Sequence, residues 1–247
     1  DKLVETSLVD EPLDLFELHQ VKLAALNLGS EAEPRLFGSK NSAKVIQAIE
    51  RSRKLSFAKW ILAMAIPNIG AATAFSLARV HAGFPALQSS EILLKRLRLQ
   101  ELLEMAADIN PDATGPKDES KRAIWEKRVK GMTSDDRARE HASLNQDIEA
   151  LVDDLNRAGV VVKLSKAIKK NGNPPILSVT SDLEPEVCKS VVEFFRSDYG
   201  KRTAKRLREL GIWQSQARQS QTVLRPLEGK VFVLTGSLET ITRKAAE

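Results

Sequence analysis

Apolar residues recur at helical spacing on both sides of a short turn in the first third of the chain. Residues 57–64 place their large apolar side chains on one face, and residues 71–80 repeat the pattern after the turn. Between them, Pro67 fixes φ, Asn68 tolerates the left-handed region, and Gly70 is expected to supply a positive φ. The pattern therefore predicts two helices joined by a tight hairpin.

The helical pattern extends over much of the remaining chain. Helices are predicted at residues 41–53, 133–157, 183–195 and 200–210, and as two short segments within residues 1–18 that are broken at Pro12, with Asp10 as a cap. Short segments rich in valine and isoleucine at 159–162 and 176–179, joined through residues 171–175, predict a β-hairpin. The expected fold is mainly α, with an insertion that contains a helix and a β-hairpin.

A helical hairpin of this kind can bind an anion through its backbone. The N–H groups that open the second helix lie at the positive end of the helix dipole, so they suit a phosphate group without any particular side chain. In the hairpin near residue 68, the residues predicted to form this site are Pro67, Asn68, Ile69, Gly70, Ala71, Ala72 and Thr73.

A second candidate hairpin precedes the helix at residues 41–53. Its predicted contact residues are Gly38, Ser39, Lys40 and Ser42, where Gly38 provides the backbone geometry and Lys40 a charge beside the phosphate. The alternative is an ordinary helix cap at Ser39 with a solvated Lys40. The residues alone are compatible with both.

Three segments resemble one protein family. The run apolar-Pro-x-apolar-Gly-x-x-Thr-Ala at residues 66–74 resembles the helix–hairpin–helix DNA-binding motif, and it is similar to the third such motif of bacterial NAD-dependent DNA ligases. Residues 36–43 resemble the second motif of these ligases, and residues 226–239 resemble the opening strand and Thr-Gly turn of their BRCT domain. The resemblance implies a C-terminal fragment of such a ligase, with tandem helix–hairpin–helix motifs and a truncated BRCT strand and turn.

The chain departs from that family in three places. Residues 29–35 look like an insertion at the second hairpin, residues 97–178 match no part of the family, and residues 180–183 replace the glycines of the fourth hairpin. The fourth motif is therefore expected to be structural. The predicted division is 1–96 for the first three motifs (the first incomplete), 97–178 for the insertion, 179–213 for the degenerate fourth motif, 214–225 for a linker, and 226–247 for the start of the BRCT domain.

The resemblance also implies a function. Paired hairpins in this family hold nicked double-stranded DNA across the minor groove in replication and repair, while adenylation, OB and zinc domains of the same full-length chain complete the enzyme. NAD, zinc and magnesium serve the parent ligase, and no cofactor or catalytic residue is expected in this fragment, because its sequence has no Lys-x-Asp-Gly nucleophile motif. The implied location is the bacterial cytoplasm, at the nucleoid. The alternatives are a non-ligase helix–hairpin–helix repair scaffold and a protein-interaction module.

Composition and charge add modest constraints. The chain has 38 Lys and Arg against 33 Asp and Glu, an excess of +5 that is compatible with an anionic partner but too small to argue for one. The single cysteine, Cys188, excludes an internal disulfide, favours a reducing compartment, and is expected to be a buried thiol. No apolar run approaches the length of a membrane span, so no membrane partner is expected. Residues 189–208 carry seven Lys and Arg against two acids, either as a phosphate-binding cluster or as a solvated face.

Overall fold

The computed structural model describes residues 2–113, 115–116, 118–167 and 175–213 of the 247. The predicted linker and BRCT segment, at residues 214–247, lie outside these described residues, as does residue 1. The elements are α1 (Lys2–Glu5), a 3-10 helix (Pro12–Glu17), α2 (Gln20–Ala24), α3 (Ser39–Ser52), α4 (Phe57–Ala63), α5 (Ala71–Val80), α6 (Phe84–Gln88), α7 (Glu91–Ile109), α8 (Glu119–Val129), α9 (Ser134–Arg157), β1 (Val162–Ala167), β2 (Ile176–Ser181), α10 (Pro185–Arg196) and α11 (Asp198–Glu209). The fold is mainly α with a small two-stranded sheet, which confirms the predicted fold class.

Short polar side chains define where the long helices begin. The Ser90 hydroxyl accepts a hydrogen bond from the backbone N–H of Leu93 at 3.1 Å at the start of α7. Thr133 and Asp136 form a reciprocal capping box at the start of α9, where the sequence predicts this helix to open. These bonds use N–H groups that have no partner within the helix.

The hydrophobic core follows two long helices, α7 and α9, which pack against each other, with α10 on α7 and β1 on α9. The apolar face of α9 is directed at this core, since Ile148 and Leu155 are fully buried. Arg96 of α7 is also buried, and its Nε donates to the Leu183 carbonyl at 2.9 Å in the loop before α10. Since α7 continues past residue 96, a single helix crosses the predicted start of the insertion.

The β-hairpin forms, but its first strand begins later than predicted. β1 pairs antiparallel with β2, with Val162 opposite Ser181 and Ala167 opposite Ile176. Asn156 at the end of α9 fixes the start of β1, because its side chain bonds both backbone groups of Val162 at 3.0 Å. Residues 163–167, which lie between the two predicted strands, are therefore part of β1. The predicted joining residues 171–174 lie outside the described part.

The N-terminal segment follows the predicted break at proline, with a different cap. Pro12 occupies the first turn of a 3-10 helix, and its N-cap residue is Glu11 rather than the predicted Asp10. The reason is the Asp14 carboxylate, which accepts from the backbone N–H of Glu11 at 2.8 Å and of Asp10 at 3.0 Å. The hydrogen bond from Glu11 is the main cause of a lowered pKa of Asp14, and the bond from Asp10 adds to it. Asp14 therefore closes the turn as an anion.

Candidate nucleic-acid interface

The hairpin between α4 and α5 has the predicted boundaries but a different turn. Left-handed backbone occurs at Ala65 (φ 49°) and Asn68 (φ 64°). Gly70, the N-cap residue of α5, has φ −96° and ψ −178°, so the expected positive φ at Gly70 is wrong. Any residue can adopt this extended conformation. The physical reason is that the chain reverses at Ala65 and Asn68 and is already extended when it enters α5.

The start of α5 presents a row of backbone N–H groups. The first bond within this helix runs from the Ala74 N–H to the Gly70 carbonyl at 2.9 Å. In the described part of the chain, the N–H groups of Gly70, Ala71, Ala72 and Thr73 therefore have no recorded backbone or side-chain partner. Gly70, Ala71 and Ala72 are exposed. A Cβ added at Gly70 would meet no atom within 4 Å, so the space in front of these groups is open.

The remaining residues predicted at this hairpin have different environments. Pro67 and Asn68 are exposed, Thr73 is half-buried, and Ile69 packs against the hydrophobic core. The Asn68 side chain is already used, because its Nδ2 donates to the Ser190 hydroxyl on α10 at 3.0 Å. Asn68 thus holds the turn against α10, while the backbone groups that follow it remain open to solvent.

The second hairpin, between α2 and α3, also exposes the start of a helix. Gly38 is the N-cap residue of α3 with φ 84° and ψ 155°, a conformation that favours glycine, as predicted. In the described residues, the N–H groups of Ser39, Lys40 and Asn41 have no recorded partner, since the first helical bond runs from Ser42 to Gly38 at 3.0 Å. Ser39 and the Lys40 side chain are exposed beside them.

Ser42 does not fit the predicted role of a contact residue. Its side chain is fully buried, and its hydroxyl donates to the Ser39 carbonyl at 2.9 Å. A side chain in this position shapes the first turn of α3 from inside and cannot reach a ligand. The sequence signal is ambiguous, because a small hydroxyl residue suits both a phosphate contact and a tightly packed helix start.

Residues 29–35, the predicted insertion at this hairpin, form an excursion closed at its base. An isolated antiparallel bridge joins Asn27 to Leu36. The Asn27 side-chain oxygen accepts from the backbone N–H of Gly29 at 2.9 Å and of Arg35 at 2.8 Å. Gly29 is required for this closure, since a Cβ there would lie 2.1 Å from the Glu33 carbonyl oxygen. The excursion thus leaves the start of α3 in place.

Side chains far away in the sequence fasten the two hairpins to the rest of the fold. At the end of α3, the Arg53 guanidinium donates to the Leu210 carbonyl at 2.9 Å and to the Phe16 carbonyl at 3.0 Å. On α5, Arg79 contacts the Asp182 carboxylate at 2.5 Å and the Gly159 carbonyl at 3.1 Å. No local pattern indicates either set of contacts, because each joins residues at least 37 positions apart.

Asp182 and Cys188, in the predicted fourth motif, have structural environments. The second oxygen of Asp182 accepts from the Val161 N–H at 3.0 Å, so this carboxylate joins α5 to the β-hairpin. Cys188 is fully buried, as predicted, and burial raises the pKa of its thiol to about 12. This thiol is therefore un-ionised at neutral pH, which makes it a poor nucleophile.

A buried histidine joins the end of α5 to the start of α7. His81 Nδ1 lies 2.8 Å from the Leu77 carbonyl, and its Nε2 lies 2.6 Å from the Ser90 hydroxyl. Because a carbonyl only accepts, Nδ1 carries the proton of the neutral ring, and Nε2 accepts from Ser90. Burial lowers the pKa of His81. This serine–histidine pair lies inside the fold and has the geometry of a structural joint.

The described residues contain neither a metal cluster nor a membrane-spanning helix. Within residues 2–113, 115–116, 118–167 and 175–213, no group of three or more His, Cys, Asp or Glu side chains is arranged to hold a metal ion. Over the same residues, no helix has both the length and the apolar character needed to cross a membrane.

The fold and the two exposed helix starts define the class of protein: it is mainly helical and has two hairpins whose backbone N–H groups face solvent. Comparison with known proteins shows which proteins this chain is similar to. The chain is 33% identical over 242 residues to a protein named DNA ligase from Akkermansia muciniphila, a match that covers 96% of this chain and 28% of that protein. A DNA ligase from Azotobacter vinelandii is 27% identical over 265 residues, covering 99% of this chain and 32% of the relative. A DNA ligase from Ectopseudomonas mendocina is 27% identical over 268 residues, and the match covers 100% of this chain and 32% of the relative.

The chain is therefore homologous, over almost its whole length, to a segment of the bacterial DNA ligases, and it spans about a third of the length of these curated relatives. The match to the Akkermansia protein also extends across residues 97–178, since it covers 96% of the chain. No known family model matches the chain. No solved structure matches it at a significant level either.

Proposed function

We propose that this chain is the DNA-binding part of an NAD-dependent DNA ligase that seals nicks during replication and repair in the bacterial cytoplasm. Its two hairpins hold the backbone of nicked duplex DNA in the minor groove, largely without reading sequence. The observation that carries this proposal is the open row of backbone N–H groups from Gly70 to Thr73 at the start of α5. The ligase names of the relatives support DNA as the partner.

The two hairpins offer the same kind of contact in slightly different form. Each presents three or four backbone N–H groups at the positive end of a helix, where a phosphate oxygen can accept them. The second hairpin adds the exposed Lys40 side chain. Because these groups contact phosphate rather than base edges, binding should be sensitive to salt and tolerant of sequence.

The chemistry of ligation is proposed to lie elsewhere in a full-length ligase, in its adenylation, OB and zinc domains. The described residues of this chain do not fit zinc, since the one cysteine is buried with a raised pKa and no three-ligand cluster is present among them. The sequence also has no Lys-x-Asp-Gly motif to accept AMP from NAD. Magnesium and NAD are accordingly assigned to the rest of the enzyme.

This assignment of the chemistry has a direct test. Incubation of the chain with NAD and magnesium, followed by intact-mass measurement, should show the unmodified mass. A stable gain of one AMP would contradict the proposal that the chain is inactive alone.

DNA binding is tested with Gly70→Val. Because Gly70 is extended and the space around it is open, valine should leave the fold intact while its side chain fills the space that a phosphate would occupy. Ser56→Val is the matched control, since Ser56 is an exposed N-cap residue of α4 with φ −62° and ψ 154° and no side-chain capping bond. Nicked duplex is titrated at several salt concentrations, with circular dichroism to check folding.

The expected result is weaker binding by Gly70→Val and parental binding by Ser56→Val. Lys40→Ala should weaken binding about equally for all DNA sequences and reduce the slope of log K against log salt by about 1. A folded Gly70→Val chain that binds as well as the parent would make this hairpin an ordinary core turn. Failure of the parent to bind would favour the interaction-module alternative.

A further inference from the structure

Helix α11 is held rigidly on the core. Its residues Ala204 and Leu207 are buried, and the Ser197 hydroxyl accepts from the Gly200 N–H at 3.0 Å at its start. Gly200 allows the close approach to α10, because a Cβ there would lie 1.9 Å from the Phe194 carbonyl oxygen. The outward face of α11 therefore has a fixed orientation.

That outward face is cationic. Residues 196–209 contain six Lys and Arg against two acids. Lys201, Arg202 and Lys205 are exposed, and we call these three residues the α11 stripe. Lys201 lies 3.6 Å from Asp198, and Lys205 lies 3.9 Å from Glu209. Exposed ion pairs of this length within one helix contribute little, so these charges stay available to another anion.

The neighbouring arginines of α11 are used by the fold itself. Arg206 contacts the Asp14 carboxylate at 3.1 Å and also Glu17, which fastens α11 to the 3-10 helix. The guanidinium of Arg208 lies 4.4 Å from the centre of the Trp213 ring and donates to the Gln88 side chain at 2.7 Å. The stripe thus consists of the lysine and arginine residues of α11 that have no such structural task.

The stripe is connected to the second hairpin. Arg53, at the end of α3, donates to the carbonyl of Leu210, at the end of α11. The 14 residues of α3 span about 20 Å from this bond to the exposed N–H groups at Ser39. α3 alone therefore matches the length of roughly six phosphates along one DNA strand, and the stripe lies a further five to nine residues from Leu210 along α11.

We propose that the α11 stripe is a second site for the DNA backbone, which binds phosphates through side-chain charge. This site rests on the proposed function, since it assumes a duplex held by the hairpins. It differs from them in its chemistry, because flexible ammonium and guanidinium groups replace fixed backbone N–H groups. The stripe should therefore contribute most of its binding energy as counterion release.

The test compares two triple variants in titrations of nicked duplex over a range of salt concentrations. Lys201→Gln, Arg202→Gln and Lys205→Gln together remove the stripe. Lys121→Gln, Arg122→Gln and Lys127→Gln together remove the same charge from α8, whose side chains are equally exposed. They serve as the control, because in the surrounding residues 118–140 six acids nearly balance seven Lys and Arg. Thermal unfolding is followed for both, and neither triple should shift it, because all six side chains are exposed.

Removal of the stripe should lower the slope of log K against log salt by up to about 2.7, close to 0.9 for each phosphate that is no longer neutralised. The α8 triple should keep the parental slope, and Lys201→Arg with Lys205→Arg should keep it as well. A parental slope in the stripe variant, or equal reductions in the two triples, would overturn this site. Either result would leave the proposed role of the hairpins intact, because Gly70→Val should still weaken DNA binding if the proposed function holds.

Discussion

The two hairpins present the same backbone groups but are attached to the molecule in different ways. The hairpin between α4 and α5 lies on the main core, where Ile61 and Leu77 are fully buried. By contrast, Ser42 is the only fully buried residue of α3, and Arg53 joins the end of this helix to the rest of the fold. The first hairpin is thus positioned by the main core, and the second by local packing of α2 on α3, where Leu23 and Leu26 are buried, together with the contacts of Arg53. The same presentation of N–H groups can be reached by either route.

The difference predicts very different responses to truncation of an apolar side chain. Leu77→Ala should lower the free energy of unfolding by about 2–5 kcal/mol, because it leaves a cavity in the core beneath α5. Ile49→Ala on α3, where the side chain is only half-buried, should cost less than about 1 kcal/mol. Urea titrations of both variants measure this. Similar destabilisation in the two would mean that α3 is as firmly packed as α5.

Much of the first hairpin is predictable, because local signals and burial agree there. The observed α4 and α5 end within one residue of the prediction, as helical spacing, Pro67 and Gly70 all indicate the same boundaries. The predictions that fail at the two hairpins are those that depend on contacts with the rest of the fold. No local pattern can tell that the chain reverses at Ala65 rather than at Gly70, or that Ser42 is buried beneath its own helix turn.

The helical pattern does not indicate α7 or α8, and the reasons differ. α7 buries one face, but that face includes the charged Arg96, while the apolar Leu94 is exposed, and both features weaken the amphipathic pattern. The resemblance also places a domain boundary inside this helix. α8 has no buried residue, so its sequence carries no amphipathic period; Trp125 and Arg128 hold it in place through contacts with Asp108. Neither the burial of an arginine nor anchoring by a few polar contacts can be read from helical spacing.

The two N-cap glycines provide a finer comparison of the hairpins. Gly38→Ala should destabilise the start of α3 by about 1–3 kcal/mol, because φ 84° with ψ 155° is nearly restricted to glycine. Gly70→Ala should instead be neutral or stabilising by up to about 1 kcal/mol, since its extended backbone suits alanine. Thermal unfolding and amide hydrogen exchange of α3 and α5 would measure both effects. Equal destabilisation at Gly70 and Gly38 would contradict the difference in backbone geometry between the two caps.

The smallest expected effect concerns pH and the joint at the end of α5. His81 is neutral and buried, and burial lowers its pKa below the ordinary value of 6.5. Between these two pKa values the unfolded chain binds a proton that the folded chain does not, so stability falls as pH decreases below about 6.5. His141, whose pKa is also lowered by burial, contributes in the same direction. Stability at higher pH should be independent of both rings.

The variant His81→Gln isolates one of these two rings. Its free energy of unfolding should be lower than that of the parent at neutral pH, and it should fall less steeply between about pH 6.5 and about pH 5, because only His141 still titrates. Hydrogen exchange at the same pH values should show that the protection of α5 decreases more on acidification in the parent than in His81→Gln, since the buried ring joins α5 to α7. An unchanged pH dependence in His81→Gln would mean that His81 takes up its proton without disturbing the joint, and that α5 depends on apolar packing alone.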